Sequence, residues 1–362
     1  MQIKTITCHD VYNLGASLQA YALQTYLQSI GHDVQIIDYK PDYLSQHYKL
    51  WSVPNNYNKP FICILYLLAK LPGRLISLKR KKVFDDFTQK YLNLTERYHS
   101  NEELKDNPPL ADVYIAGSDQ IWNTLFPNGK DPAFYLDFAP KGKKKITYAA
   151  SFATSDVSEE YVPFVTQMLA NLDAISLREK SSLPLLSKLG RKDEVAVCDP
   201  VFLLDAEQWA SLLPSLERNP YVLVYDFEHS QKIQNIAKFI AKEKQMEIIS
   251  VGPFKEKYAK ENFVNAGPLE FINLIRHCDY FISNSFHGTA FSLIFKKNFF
   301  VVNREEGINE RMLSLLSDLL LQDRIVSNIG QIDLNSIDYT IPSQRINELI
   351  SFSKEYLKAQ LK

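Results

Sequence analysis

The chain has 362 residues, 46% of them hydrophobic and 23% charged, with a formal net charge of -1. Single cores rarely grow past about 250–300 residues, so this length fits two domains of ordinary globular composition. With no global positive field, nucleic acid is not an expected partner. Four scattered cysteines (Cys8, Cys63, Cys198, Cys278) without a CxxC pair argue against a disulfide framework or structural zinc.

The opening IKTITC (3–8) predicts a strand rather than a secretory leader, and the expected location is the cytoplasm. SLQAYALQTYLQSIG (17–31) predicts an amphipathic helix stopped at Gly31, and DVQIIDY (33–39) a second strand. FICILYLLAKLPG (61–73) is too short to span a bilayer, which takes about 20 apolar residues. Arg74 and Lys79, Arg80, Lys81 and Lys82 follow it. Two readings stand for 61–82: a buried helix followed by a solvated charge run, or a peripheral contact with an anionic membrane.

VYIAGS (113–118), KITYAASF (145–152), AISLRE (174–179) and EVAVCDP (194–200) read as further short strands with helical stretches between several of them. A second series starts with YVLVYDF (221–227). It continues through SQKIQNIAKFIAKEKQ, EIISVG (247–252), PLEFINLIRH, DYFISN (279–284), TAFSLIFKK and FFVVN (299–303). This rhythm predicts an α/β protein with two Rossmann-like domains facing a cleft. The expected divisions are 1–205, 206–340, and a final helical stretch, 341–362, free to pack back on the N-terminal domain.

Ligands of open parallel sheets bind beyond the carboxyl ends of the strands, and polar residues concentrate there. Asn13, Gly15, Ala16 and Ser17 form a turn opening a helix, suited to close approach of an anion or to simple capping. Gly117, Ser118, Asp119 and Gln120 follow a strand, with Trp122 beyond them. Asp119 could act as a general base or hold sugar hydroxyls, with the tryptophan covering a sugar face, or it could cap a helix. Arg178 in SLREKSS suits a carboxylate or phosphate, unless it is paired to Glu179 or Asp199. SNSFHGTAFS (283–292) predicts a strand-to-helix turn in which Ser283, Ser285, His287 and Thr289 face the cleft and Gly288 permits the turn. His287 can exchange a proton near neutral pH, or can be a hydrogen-bonded core histidine. Arg304 and Arg311 bracket REEGINER beyond it. No GxGxxG and no metal-ligand spacing is found, so neither a dinucleotide nor a metal is expected. The set suits an anionic, phosphorylated small molecule and a hydroxylated partner.

NLGASLQAYAL, GSDQIWN, YAASF, SLREKSS, the CDPVFLL run and SNSFHGTAFS, in that order over nearly the whole chain, resemble the polysaccharide pyruvyl transferase family. The resemblance implies a GT-B-like architecture with the acceptor on the N-terminal and the donor on the C-terminal domain. It implies transfer from phosphoenolpyruvate, a co-substrate with no further cofactor, to two hydroxyls of a sugar in a surface-polysaccharide precursor. The acceptor would be a lipid-linked oligosaccharide or a nucleotide sugar. On this resemblance His287 and Asp119 are the catalytic candidates. Arg178, Ser285, Gly288, Thr289 and Arg311 fall to the donor, and Asn13, Gly15, Ser118, Gln120 and Trp122 to the acceptor. Some members carry an arginine where this chain has Ser285. Two competing readings are a nucleotide-sugar-dependent glycosyltransferase and a non-catalytic glycan-binding protein of the same fold.

Overall fold

The computed structural model describes residues 1–44, 53, 59–192, 195–305 and 309–362. The first domain runs β1 (Gln2–Ile6), α1 (Leu14–Ser29), β2 (Asp33–Tyr39), α2 (Pro60–Tyr91), β3 (Leu94–Tyr98), α3 (Asn101–Asp106), β4 (Val113–Ala116) and β5 (Lys144–Thr147). Its parallel sheet has the order β3-β2-β1-β4-β5. α4 (Val162–Ala170), α5 (Leu183–Lys188) and α6 (Ala206–Ala210) lead to the second domain. That domain comprises β6 (Tyr221–Tyr225), α7 (Gln231–Lys244), β7 (Glu247–Val251), β8 (Glu261–Phe263), α8 (Pro268–His277), β9 (Tyr280–Ser283), α9 (Phe286–Ile294), β10 (Asn298–Val301) and α10 (Glu310–Asp318). Its sheet, also parallel, has the order β10-β9-β6-β7-β8. α11 (Thr340–Gln360) ends the chain.

The central strands β4 and β6 are buried at every position. Both faces are covered by helices, so such strands are apolar throughout rather than alternating. Each sheet reverses its winding beside its first strand: β1 has β2 on one side and β4 on the other, and β6 has β7 and β9. Ile6 pairs with Ala116, so the segments after β1 and β4 emerge side by side. Tyr225 likewise pairs with Ser283, which brings the exits of β6 and β9 together. These are the crevices where doubly wound sheets hold ligands. One apolar cluster joins the domains, with Trp209 set between Tyr21 of α1 and Phe291 of α9.

Three expectations change. Residues 174–179 and 195–200 contribute isolated bridges rather than strands (Glu194 lies outside the described residues). Beside the first of these, side-chain hydroxyls enter the ladder: Ser176 Oγ donates to Thr147 O at 2.9 Å, and Thr147 Oγ1 receives Ser176 N at 2.9 Å. The stretch 61–73 is not a buried helix. It forms the first turns of the 32-residue α2, and its large apolar side chains are mostly exposed. Two strands not expected from the sequence, β3 and β8, lie at sheet edges with the sequences LTERY and ENF. α11 lies against the first domain, where Leu357 is buried and Ser353 Oγ accepts from Cys198 N at 2.9 Å.

Candidate active site

The two crevices face each other across a cavity of about 250 Å³. Asn13, Asp119 and Gln120 line it from the first domain, and Ser285, His287, Arg304 and Arg311 from the second. Asn13 caps α1 by accepting from Gly15 N at 3.0 Å and Ala16 N at 3.2 Å. Gly15 is required by contact rather than by conformation. A Cβ there would lie 2.0 Å from His287 Nδ1, so the start of α1 rests directly on the imidazole. Ser285 caps α9 through Gly288 N at 3.2 Å, which places His287 in the first turn of that helix.

Asp119 follows β4 with φ 72°, a left-handed conformation uncommon for residues other than glycine. Its carbonyl receives Ile121 N at 2.8 Å and Ser151 N at 3.1 Å, which fix the turn. Its carboxylate lies 3.5 Å from Arg178 Nη2 and 3.6 Å from Arg311 Nη1. Burial would push this carboxyl up, but Arg178, His287 and Arg311 outweigh burial and hold it below the usual range.

Behind Asp119, Arg178 is enclosed by acids. It donates from Nη1 to Asp199 at 2.8 Å and from Nε to Glu179 at 3.0 Å. Burial disfavours its charge, yet Glu179, Asp199 and Asp119 outweigh burial and raise its pKa above the ordinary arginine value. Asp199 also lies 3.5 Å from His287 Nε2, and that nitrogen has no hydrogen-bond partner. Burial would raise the Asp199 carboxyl, but His287 and Arg178 draw it well below the ordinary value. Asp199 is thus an ionised counter-ion set against the histidine.

Arg311 is placed differently. It is buried, and its Nε has no hydrogen-bond partner. With the Gln120 amide turned to offer its oxygen, that oxygen accepts from Nη2 at 2.6 Å and Nη1 at 3.1 Å. Its carboxylate contact, at 3.6 Å, is too long for a hydrogen bond. Burial and the neighbouring Arg178 pull its pKa down to about 10, still far above neutrality. The Phe286 ring meets both guanidiniums, 4.6 Å from Arg178 Cζ and 5.6 Å from Arg311 Cζ. Arg304 stands over Phe227 at 5.0 Å and meets Glu228 at 3.4 Å. Residues 306–308 of REEGINER lie outside the described residues.

Several expected contacts are spent elsewhere. Trp122 is fully buried, stacked on Tyr135 with its Nε1 donating to Phe134 O at 3.1 Å, and offers no face to a sugar. Ser118 is also buried, donating to Ala149 O at 2.7 Å. Thr289 Oγ1 donates to Ser285 O at 3.0 Å, and Gly288 gives α9 room against Phe281, 2.8 Å from where its Cβ would be. Arg178 does not line the cavity; its partners are the acids named as the alternative. Asp199, named in the sequence only as a possible partner of Arg178, joins the site through its contact with His287. Among the described residues no cluster of histidine, cysteine and carboxylates is placed to hold a metal. A larger recess of about 820 Å³ beside α11 has no comparable set, and its Lys180 and Asp318 pair at 3.1 Å.

Two parallel α/β domains of GT-B type, closing on a small cavity with a buried arginine, a histidine–aspartate pair and a fixed carboxylate, describe the class. The fold is shared by a protein assigned as a UDP-N-acetylglucosamine 2-epimerase from Listeria monocytogenes. The two are 10% identical, with a TM-score of 0.52, and the likeness covers 100% of this chain and 95% of that one. MnaA from S. aureus, solved with UDP, is 11% identical with a TM-score of 0.51, covering 100% and 96%. A search of curated proteins found no match. The family model described as polysaccharide pyruvyl transferase matches residues 13–306, and the chain belongs to that family.

Proposed function

We propose that the protein transfers the three-carbon unit of phosphoenolpyruvate to two hydroxyls of a sugar in a surface-polysaccharide precursor, forming a cyclic pyruvate ketal and inorganic phosphate. The observation that carries this reading is Arg311, a buried cation at the cavity without a close carboxylate of its own. An anionic donor supplies the missing charge, and guanidinium suits both its carboxylate and its phosphate. Arg304 adds positive charge at the same wall.

The acid step falls to His287, which delivers a proton to the donor's methylene carbon and makes the adjacent carbon electrophilic. Asp199 balances the charge of the protonated ring before transfer. A sugar hydroxyl attacks that carbon and loses its proton to Asp119. The carbon–oxygen bond to phosphate then breaks, the phosphate taking the bonding pair, and the second hydroxyl adds and gives its proton back to the His287 ring. Asp119 is a weak base while Arg178, His287 and Arg311 together hold its carboxyl low. An anion on Arg311 cancels part of that field, so donor binding makes the carboxylate more basic.

The test is phosphate release from phosphoenolpyruvate with a panel of galactose- and mannosamine-type acceptors. Acceptor-dependent release that disappears in His287→Ala is the expected result. Turnover of a nucleotide sugar without phosphoenolpyruvate would replace this reading with glycosyl transfer. Glycan affinity with no turnover would leave a binding protein.

A further inference from the structure

α2 has two dissimilar halves. Its C-terminal half is anchored across both domains. Arg80 Nη2 donates to Tyr12 O at 3.2 Å and Nη1 to Val264 O at 3.4 Å, while Tyr12 Oη donates to Asp85 at 3.2 Å. Val83 fills the space beside Gly267, with its Cγ1 2.4 Å from where a Cβ would lie. The N-terminal half carries large apolar side chains into solvent: Phe61 is 74% exposed and Leu68 63%. Helical spacing puts Phe61, Leu65, Leu68 and Leu75 on one stripe, and the exposed Lys79 continues it.

Charge says what covers this stripe. From Lys59 to Lys79 there are four lysines and arginines and no acidic residue, in a chain whose net charge is -1, whereas Lys81 and Lys82 beyond them pair with Asp85 and Asp86. A second protein would need an acidic face matched to a narrow helix. An anionic lipid surface satisfies both features at once, taking leucine and phenylalanine into the acyl boundary and lysines at the headgroups. No helix among the described residues is long and apolar enough to cross a membrane, so the element lies on the surface.

We propose that the projecting half of α2 is an interfacial anchor that seats the protein on an anionic membrane. The anchored half meets Tyr12, one residue before the cavity's Asn13, so the anchor and the first-domain wall of the cleft are mechanically joined. The anchor is independent of the donor. What rests on the proposed pyruvyl transfer is its consequence, that the acceptor sugar is carried on a lipid.

Flotation of the full chain with phosphatidylcholine vesicles, with and without phosphatidylglycerol, reads the anchor without any turnover. The chain should float with the anionic vesicles, less so as salt is raised, and the double variant Leu65→Ser, Leu68→Ser should not float. Lys79→Gln should lower partitioning about fivefold. These positions are exposed, and unchanged melting temperatures would show that the variants fold. The proposal is overturned if the wild type fails to float at low salt, if phosphatidylglycerol makes no difference, or if the serine variant floats equally well. It is also overturned if the chain is a dimer that the serine variant dissociates, which would give the stripe to a second copy.

Discussion

The two walls of the cleft use arginine in opposite ways. On the first domain, Arg178 is surrounded by Asp119, Glu179 and Asp199, and its charge is answered within the protein. On the second, Arg311 shares the Phe286 ring with it but has only a long carboxylate contact and an amide oxygen. The answered arginine organises the site, and the unanswered one is left to meet a ligand. The difference separates residues whose loss unfolds the site from residues whose loss empties it.

The largest expected effect breaks the first wall. Arg178→Met leaves three carboxylates facing one another, two of them deeply buried, and should cost about 3–5 kcal/mol of stability in chemical denaturation. A variant as stable as the wild type would show that the acids are answered by some other group. Next comes the contact between the walls. Gly15→Ala must displace the His287 ring and should lower kcat about 100-fold, with the protein still folded by circular dichroism. Unaltered kcat would remove His287's position from the account.

A smaller effect appears in acid. Asp119 and Asp199 have pKa values lowered in the folded protein, so their contribution is present above the unfolded carboxyl value of about 3.9 and is lost as pH falls through the lower folded values. Melting temperature should therefore fall steeply below about pH 4, and Asp199→Asn should reduce that dependence by about one proton. An acid limb of equal slope in both proteins would mean that Asp199 is not held ionised.

Much of the fold was legible in the sequence because buried parallel strands are continuous apolar runs. DVQIIDY coincides with β2, and YVLVYDF and EIISVG contain β6 and β7, which end two residues and one residue earlier. The polar edge strand LTERY carries no such signal. AISLRE and AVCDP look like strands but form only isolated bridges, and beside AISLRE hydroxyls from Thr147 and Ser176 enter the ladder, a substitution that depends on partners far apart in sequence. At the site, chemistry was legible by residue type and satisfaction was not. Arg178 and Arg311 are equivalent letters until the distances to their carboxylates are known. Trp122 reads as an aromatic platform after a Gly-Ser turn, but its indole finds Tyr135 and the Phe134 carbonyl, both contributed by the segment that follows. α2 presents the converse case. Its apolar run invites burial, and only the fold shows that nothing among the described residues covers Phe61 and Leu68.

The most direct test of the unanswered arginine is calorimetric titration of phosphoenolpyruvate into the wild type and Arg311→Gln. Wild-type binding, weakened at least about tenfold in a variant that melts no lower than the wild type, is the predicted result. Equal affinity in the two proteins, or no affinity for phosphoenolpyruvate in the wild type, would contradict the assignment of this wall to the donor.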